Sequence, residues 1–308
     1  MLQAAGPVVV AGFGLALVQT VLGGDAPAPV LLARRLQPLG AAAAAASLVA
    51  STGGLAGALA AVWFAVCLCA AAGGLVLAWH LRDPARSGAR AVRSRLVAGT
   101  LAAGLVYLAV GGGWLVVSRL GLRPLDLSTD IVRMTALHFH YAGFGVPVLA
   151  ATGMAAADWY ASRLALAIGC VAAVVGPPVV AAGFAFDSAL GQVGGAVIMT
   201  VAAWGVGFGT FLLSTSTSAL RAARVGGKVR WSGRALLIVS SLSPIVPMVL
   251  AIQWALAQHT GLPALDVDDM AATHGLLNGV GFVMAGLGGW LLTGAVTAPA
   301  ARIAEVGT

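Results

Sequence analysis

Residues 55–80 read LAGALAAVWFAVCLCAAAGGLVLAWH, with no Asp, Glu, Lys or Arg anywhere in the run. As a helix this stretch is long enough to cross the roughly 30 Å hydrocarbon core of a bilayer, and it lacks the alternation of a membrane barrel strand. Working outward, comparable apolar runs lie near 4–22, 37–51, 96–118, 131–153, 164–184, 193–214, 235–256 and 270–294. The count is nine helices. Eight is the alternative, because 37–51 is short, nearly all alanine after Gly40, and parted from the next run only by Ser51-Thr52-Gly53-Gly54. A chain that is 60% hydrophobic and 9% charged cannot coat a soluble domain with polar surface. The fold class is therefore all-α, a polytopic transmembrane helical bundle.

The net charge is +7. Its basic residues sit in short loops at Arg34-Arg35, Arg82 to Arg95 and Arg221 to Arg234, without the aromatic interleaving that grips bases, so nucleic acid is not an expected partner. They report topology. Acidic or neutral loops around Asp126, Asp187 and Asp266 to Asp269 alternate with them. With nine spans, the N-terminus and acidic loops lie outside a bacterial inner (plasma) membrane, and the basic loops and C-terminus lie in the cytoplasm. The first run has no basic residue before it and reads as a retained helix rather than a secretory signal. Cys67, Cys69 and Cys170 fall inside apolar runs and read as small buried hydrophobes; neither a metal nor a cofactor is expected. No linker or composition shift interrupts the pattern, so 1–308 reads as one transmembrane domain with no recognisable internal repeat. Gly205-x-Gly207-x-Gly209 and Gly275-x-x-x-Gly279 resemble small-residue packing seams, and Pro177-Pro178, Pro244 and Pro247 should kink or break their spans.

Two polar runs interrupt the hydrocarbon: Asp130-x-x-Arg133-x-x-x-x-His138-Phe139-His140-Tyr141 and Asp268-Asp269-x-x-x-x-His274-x-x-x-Asn278. An ionisable group at bilayer depth costs about 2.5–3.5 kcal/mol on insertion scales, so such residues normally face a bundle interior and carry function. At about 100° per residue, Asp130, Arg133 and His140 form one stripe, with Phe144 a turn below His140. His138 points nearly the opposite way, so the two histidines cannot share a metal from a regular helix. For His138 a hydrogen bond between helices and a part in the site both stay open, as do an interfacial anchor and a substrate contact for Tyr141. His274 and Asn278 share a face, and an amide can hold an imidazole in one tautomer for acid or base work. Asp268 and Asp269 suit either a helix N-terminus, where carboxylates are favoured, or substrate binding. They lack the third aspartate of a diphosphate-binding motif.

The strings Leu137-His138-Phe139-His140-Tyr141-Ala142-Gly143-Phe144 and Thr273-His274-Gly275-Leu276-Leu277-Asn278-Gly279-Val280-Gly281-Phe282 resemble the YndJ-like family of bacterial membrane proteins, over roughly 30 to 295. The resemblance implies an integral membrane protein, for which transporter is the usual family label. From the residues themselves the preferred reading is an intramembrane enzyme, an isomerase or cyclase acting by acid and base on a lipid-like or isoprenoid substrate. His140, His274, Asp130, Arg133, Asn278 and His138 would be catalytic; Tyr141, Phe144, Asp268 and Asp269 would hold substrate. No ionisable group follows Phe144 or Asn278 toward the cytoplasmic end, which makes the site one-sided. Trp63, Trp114, Trp204 and Trp254 are candidates to line an apolar wall and face a carbocation. The alternative is a proton-coupled or small-molecule transporter. The bilayer and a hydrophobic small molecule are the expected partners.

Overall fold

A computed structural model describes residues 1–82, 89–157, 160–216 and 227–294. Parts of the arginine-rich loops, 83–88 and 217–226, and the end of the chain from 295 lie outside the described residues. Among the described residues there are nine helices and no strand. They are α1 (Leu2–Asp25), α2 (Ala28–Val49), α3 (Gly54–His80), α4 (Ala89–Leu120), α5 (129–156), α6 (Tyr160–Ala185), α7 (Ala189–Thr215), α8 (Lys228–Thr260) and α9 (Val267–Thr293). Seven are long and apolar enough to cross a membrane. The other two are the more polar α2, with Arg34, Arg35 and Gln37, and α5, with Asp130, Arg133, His138 and His140.

Several expectations are corrected. The second helix starts at Ala28 instead of near 37, so Arg34 and Arg35 belong to a helix rather than a loop. Pro29 in its first turn supplies a helical φ and removes an N–H that would be unsatisfied there, and arginine is a good helix former. The helix α6 runs unbroken through Pro177-Pro178. A break does occur at Ser243-Pro244, where a turn interrupts α8 in mid-span. His259 is in the last turn of α8.

The chain divides into two compact units: Met1–Gln19 with Gly24–Val148, and Thr20–Gly23 with the chain from Leu149 onward. Inside them the same four-helix plan occurs twice, α2 to α5 and then α6 to α9, with α3 and α7 both 27 residues long. The packing repeats as well as the order. Val30 of α2 fills the space over Gly73 of α3, and Leu166 of α6 fills that over Gly209 of α7. Gly40 lies against Trp63, and Gly176 against Met199. Gly104 of α4 faces the Phe144 carbonyl of α5, while Ser240 of α8 donates its hydroxyl to the Phe282 carbonyl of α9 at 2.7 Å. One offset along the chain relates the residues of α2 to α4 to their counterparts in α6 to α8, and between α5 and α9 the offset is two residues longer.

The last helices match most closely. Ser128 and Asp266 cap α5 and α9, accepting from Ile131 N (3.3 Å) and Asp269 N (2.8 Å). Thr135 and Thr273 each donate to the carbonyl four residues back, at 2.7 and 2.6 Å. Both helices then widen to π geometry, over Phe139–Gly145 in α5 and over Ala271–Gly275 and Leu277–Met284 in α9. Both carry Gly-Phe there, with Phe144 and Phe282 fully buried. In this register His140 corresponds to Asn278. The expectation of no repeat is thus overturned. What recurs is the complementarity of a small residue and its filler, which Trp63 and Met199 satisfy with different side chains, so little identity marks it in the sequence.

Candidate functional site

In the first unit α5 places His140 between Gly6 of α1, Trp63 of α3 and Gly111 of α4, positions where a larger side chain would meet the imidazole. His140 is 3% exposed. Its Nδ1–H donates to the Ala136 carbonyl at 2.8 Å, and Trp63 Nε1–H donates to its Nε2 at 2.9 Å, the rings lying nearly parallel with centroids 5.9 Å apart. A carbonyl only accepts and an indole N–H only donates, so this geometry fixes a neutral ring protonated on Nδ1, with both nitrogens engaged. Tyr141 donates its hydroxyl to the Leu2 carbonyl at 3.0 Å, and Phe144 packs on Gly14.

Arg133 and His140 line one cleft with Gln3, Leu115 and Ser118, a space with room for about one water molecule. Asp130 is not drawn into it. It pairs with Arg133 at 2.8 Å, the side chains being 57% and 53% exposed. His138 is exposed and bonds through Nδ1 to the Met134 carbonyl of its own helix at 2.8 Å.

In the second unit His274 Nδ1–H donates to the Pro247 carbonyl of α8 at 2.8 Å, which leaves Nε2 as the acceptor of the neutral ring. The Asn278 amide lies 3.3 Å from that Nδ1 and 3.4 Å from Met248 Sδ, and among the described residues its buried Oδ1 has no hydrogen-bond partner. The break in α8 lies just before Pro247, the partner of His274, and there Trp204 Nε1–H donates to the Pro244 carbonyl at 3.1 Å. Asp268 and Asp269 are exposed in the first turn of α9.

Sequence reasoning missed three partners. Trp63 was considered only as wall, although a buried indole N–H normally requires an acceptor and His140 was available. The Pro247 carbonyl left no residue-type signal. Nor did the cluster in which His259 Nε2–H donates to Gln192 Oε1 at 3.1 Å, while Gln192 Nε2 donates to the Gly183 carbonyl at 3.3 Å and reaches Asp187 at 3.5 Å. Among the described residues no three His, Cys, Asp or Glu side chains group as metal ligands.

These features define a polytopic helical membrane protein built on a repeated four-helix unit, with one π-widened polar helix per copy. The profile of the family described as YndJ-like protein matches residues 1–282, so the chain belongs to the YndJ-like family. It is similar to "Uncharacterized membrane protein YndJ" of Bacillus subtilis (strain 168), 23% identical over 187 residues that cover 61% of this chain and 31% of that protein. The chain thus corresponds to about a third of that relative's length. No solved structure matches it.

Proposed function

We propose that this chain is a proton-linked transporter of a small hydrogen-bonding solute, with His274 as its proton acceptor and Asn278 as a solute contact. The repeat carries this reading. Transporters are commonly built from such repeats, and their sites lie on interrupted helices at corresponding positions of the two halves. The helices α5 and α9 occupy corresponding positions, and each is π-widened around its polar residue, a distortion frequent at functional sites. Irregular backbone at membrane depth is tolerated where it is buried or lines a cavity, which suits the break in α8. His274 is held in one orientation through Nδ1–H on the Pro247 carbonyl, and an imidazole is the side chain suited to exchanging protons near neutral pH. Asn278 Oδ1 is an acceptor awaiting a donor. His140, with both nitrogens engaged, positions α5.

An isomerase or cyclase for isoprenoids has less support. It needs an apolar chamber beside the acid, and the cleft at His140 and Arg133 accommodates about one water. The two readings separate in sealed proteoliposomes holding a pH-sensitive dye and exposed to pools of small metabolites. Proton movement that follows a solute, and is lost in His274→Ala, supports transport. Conversion of prenyl lipids by detergent-solubilised protein, with no linked proton movement, would reverse the preference.

In this reading all nine helices cross a cell membrane. The N-terminus is outside and the C-terminus is cytoplasmic. A cysteine at Asp187 should then react with an impermeant thiol reagent in intact cells, and one at Ser232 should be shielded, after the native cysteines are replaced. The opposite labelling would invert the orientation.

A further inference from the structure

The turn at 26–27 joins α1 and α2 into a hairpin. Gln19 lies six residues before the end of α1 and Arg34 six after the start of α2, so both are about 9 Å from the ends of their helices at 1.5 Å per residue. Together with Leu31 and Arg35 they line a recess of about 360 Å³. Its wall is braced, because Arg34 donates to Gln19 Oε1, and a turn along α2 the buried Gln37 donates to the Pro7 carbonyl of α1 at 2.9 Å.

Among the described residues no carboxylate pairs with an arginine of this recess. Arg133 has Asp130, but neither Arg34 nor Arg35 forms an ion pair, and the Arg35 side chain has no partner among the described residues. The repeat supplies an internal control. At the corresponding positions α6 carries Cys170 and Val171, so the four-helix unit folds without charge there. Two adjacent cations in a membrane helix are therefore particular to the first copy and are not a requirement of its fold.

We propose that Gln19, Arg34 and Arg35 form a binding site for a phosphate group at the membrane boundary. Guanidinium groups recognise phosphate through paired N–H donors, and two of them with a side-chain amide match its several acceptor oxygens. Headgroup regions occupy the outermost several ångströms of each leaflet, so a hairpin tip reaching water puts these residues at lipid-phosphate depth. The phosphate belongs either to an anionic lipid or to a free anion. This proposal does not depend on the transport reading.

The test uses the whole chain purified in neutral detergent, with thermal unfolding followed as phosphatidylglycerol, phosphatidylcholine or inorganic phosphate is titrated. Ligand that binds only the folded state raises the unfolding temperature in proportion to its occupancy. A rise of several degrees with phosphatidylglycerol but not with phosphatidylcholine, reduced in Arg35→Gln and abolished in Arg34→Gln/Arg35→Gln, identifies a lipid phosphate. An equal, arginine-dependent rise with inorganic phosphate identifies a free anion and keeps the site. No rise with either anion, or a rise undiminished in the variants, overturns it. Should the double variant fail to fold, Arg35→Gln alone decides, because among the described residues Arg35 has no partner to lose.

Discussion

The two copies of the four-helix unit answer one structural question differently. In the first, the polar position of the π-widened helix is His140, clamped between the Ala136 carbonyl and the Trp63 indole. In the second it is Asn278, and Met199 stands where the tryptophan would be, so Oδ1 has no donor. The neighbouring His274 is held on the Pro247 carbonyl through Nδ1–H. One scaffold thus holds a saturated polar residue in one copy and an unsatisfied one in the other. Stability and function separate along that line: a closed network rigidifies its surroundings, whereas an unpaired buried acceptor costs stability and persists where something uses it.

The largest expected effect tests the second copy. His274→Ala should reduce solute-linked proton flux by about 10²–10⁴-fold, the range for removing a proton-transferring group, with the protein still folded in the membrane. Full flux in that variant would leave the second copy no more functional than the first.

Next comes the clamp. His140→Leu strands the Trp63 N–H, and Trp63→Phe strands His140 Nε2, each leaving a buried group unsatisfied at a cost of about 1–3 kcal/mol. Asn278→Leu replaces an amide whose oxygen is already unsatisfied and should cost under about 1 kcal/mol in the same unfolding assay. Equal destabilisation by His140→Leu and Asn278→Leu would erase the contrast between the copies.

The repeat itself is tested by matched overpacking. A methyl group on Gly73 meets Val30, and one on Gly209 meets Leu166. Gly73→Ala and Gly209→Ala should each destabilise by about 1–3 kcal/mol, and by similar amounts. A large penalty in one with none in the other would argue against equivalent packing. The smallest effect belongs to Asp130→Asn, since an exposed ion pair contributes about 0–1 kcal/mol. A larger loss of stability would mean that Asp130 does more than pair with Arg133.

Much of the site's location was legible in sequence, and little of its wiring. The stripe of Arg133 and His140, and the turn relating His274 to Asn278, follow from helical periodicity, which survives into the π-widened segments. His140's acceptance from Trp63 links residues 77 positions apart, and His274's bond to Pro247 spans 27. No local pattern encodes such separations. The α2 boundary was misjudged because two arginines resemble a loop to a hydropathy reading, while their aliphatic stems let them ride on a helix near its end.

The sequence by itself determined the class of protein, the positions of most spans and the two helices that carry polar chemistry. Each of these is a sum over neighbouring residues: transfer cost, period and length. The repeat, the tautomer of His140, the bond of Trp204 to the Pro244 carbonyl at the α8 break, and the uncompensated arginines of the α1–α2 hairpin were decided only by tertiary structure. They depend on which small residue meets which filler and which donor meets which acceptor across distant segments, and different side chains can satisfy those contacts equally well.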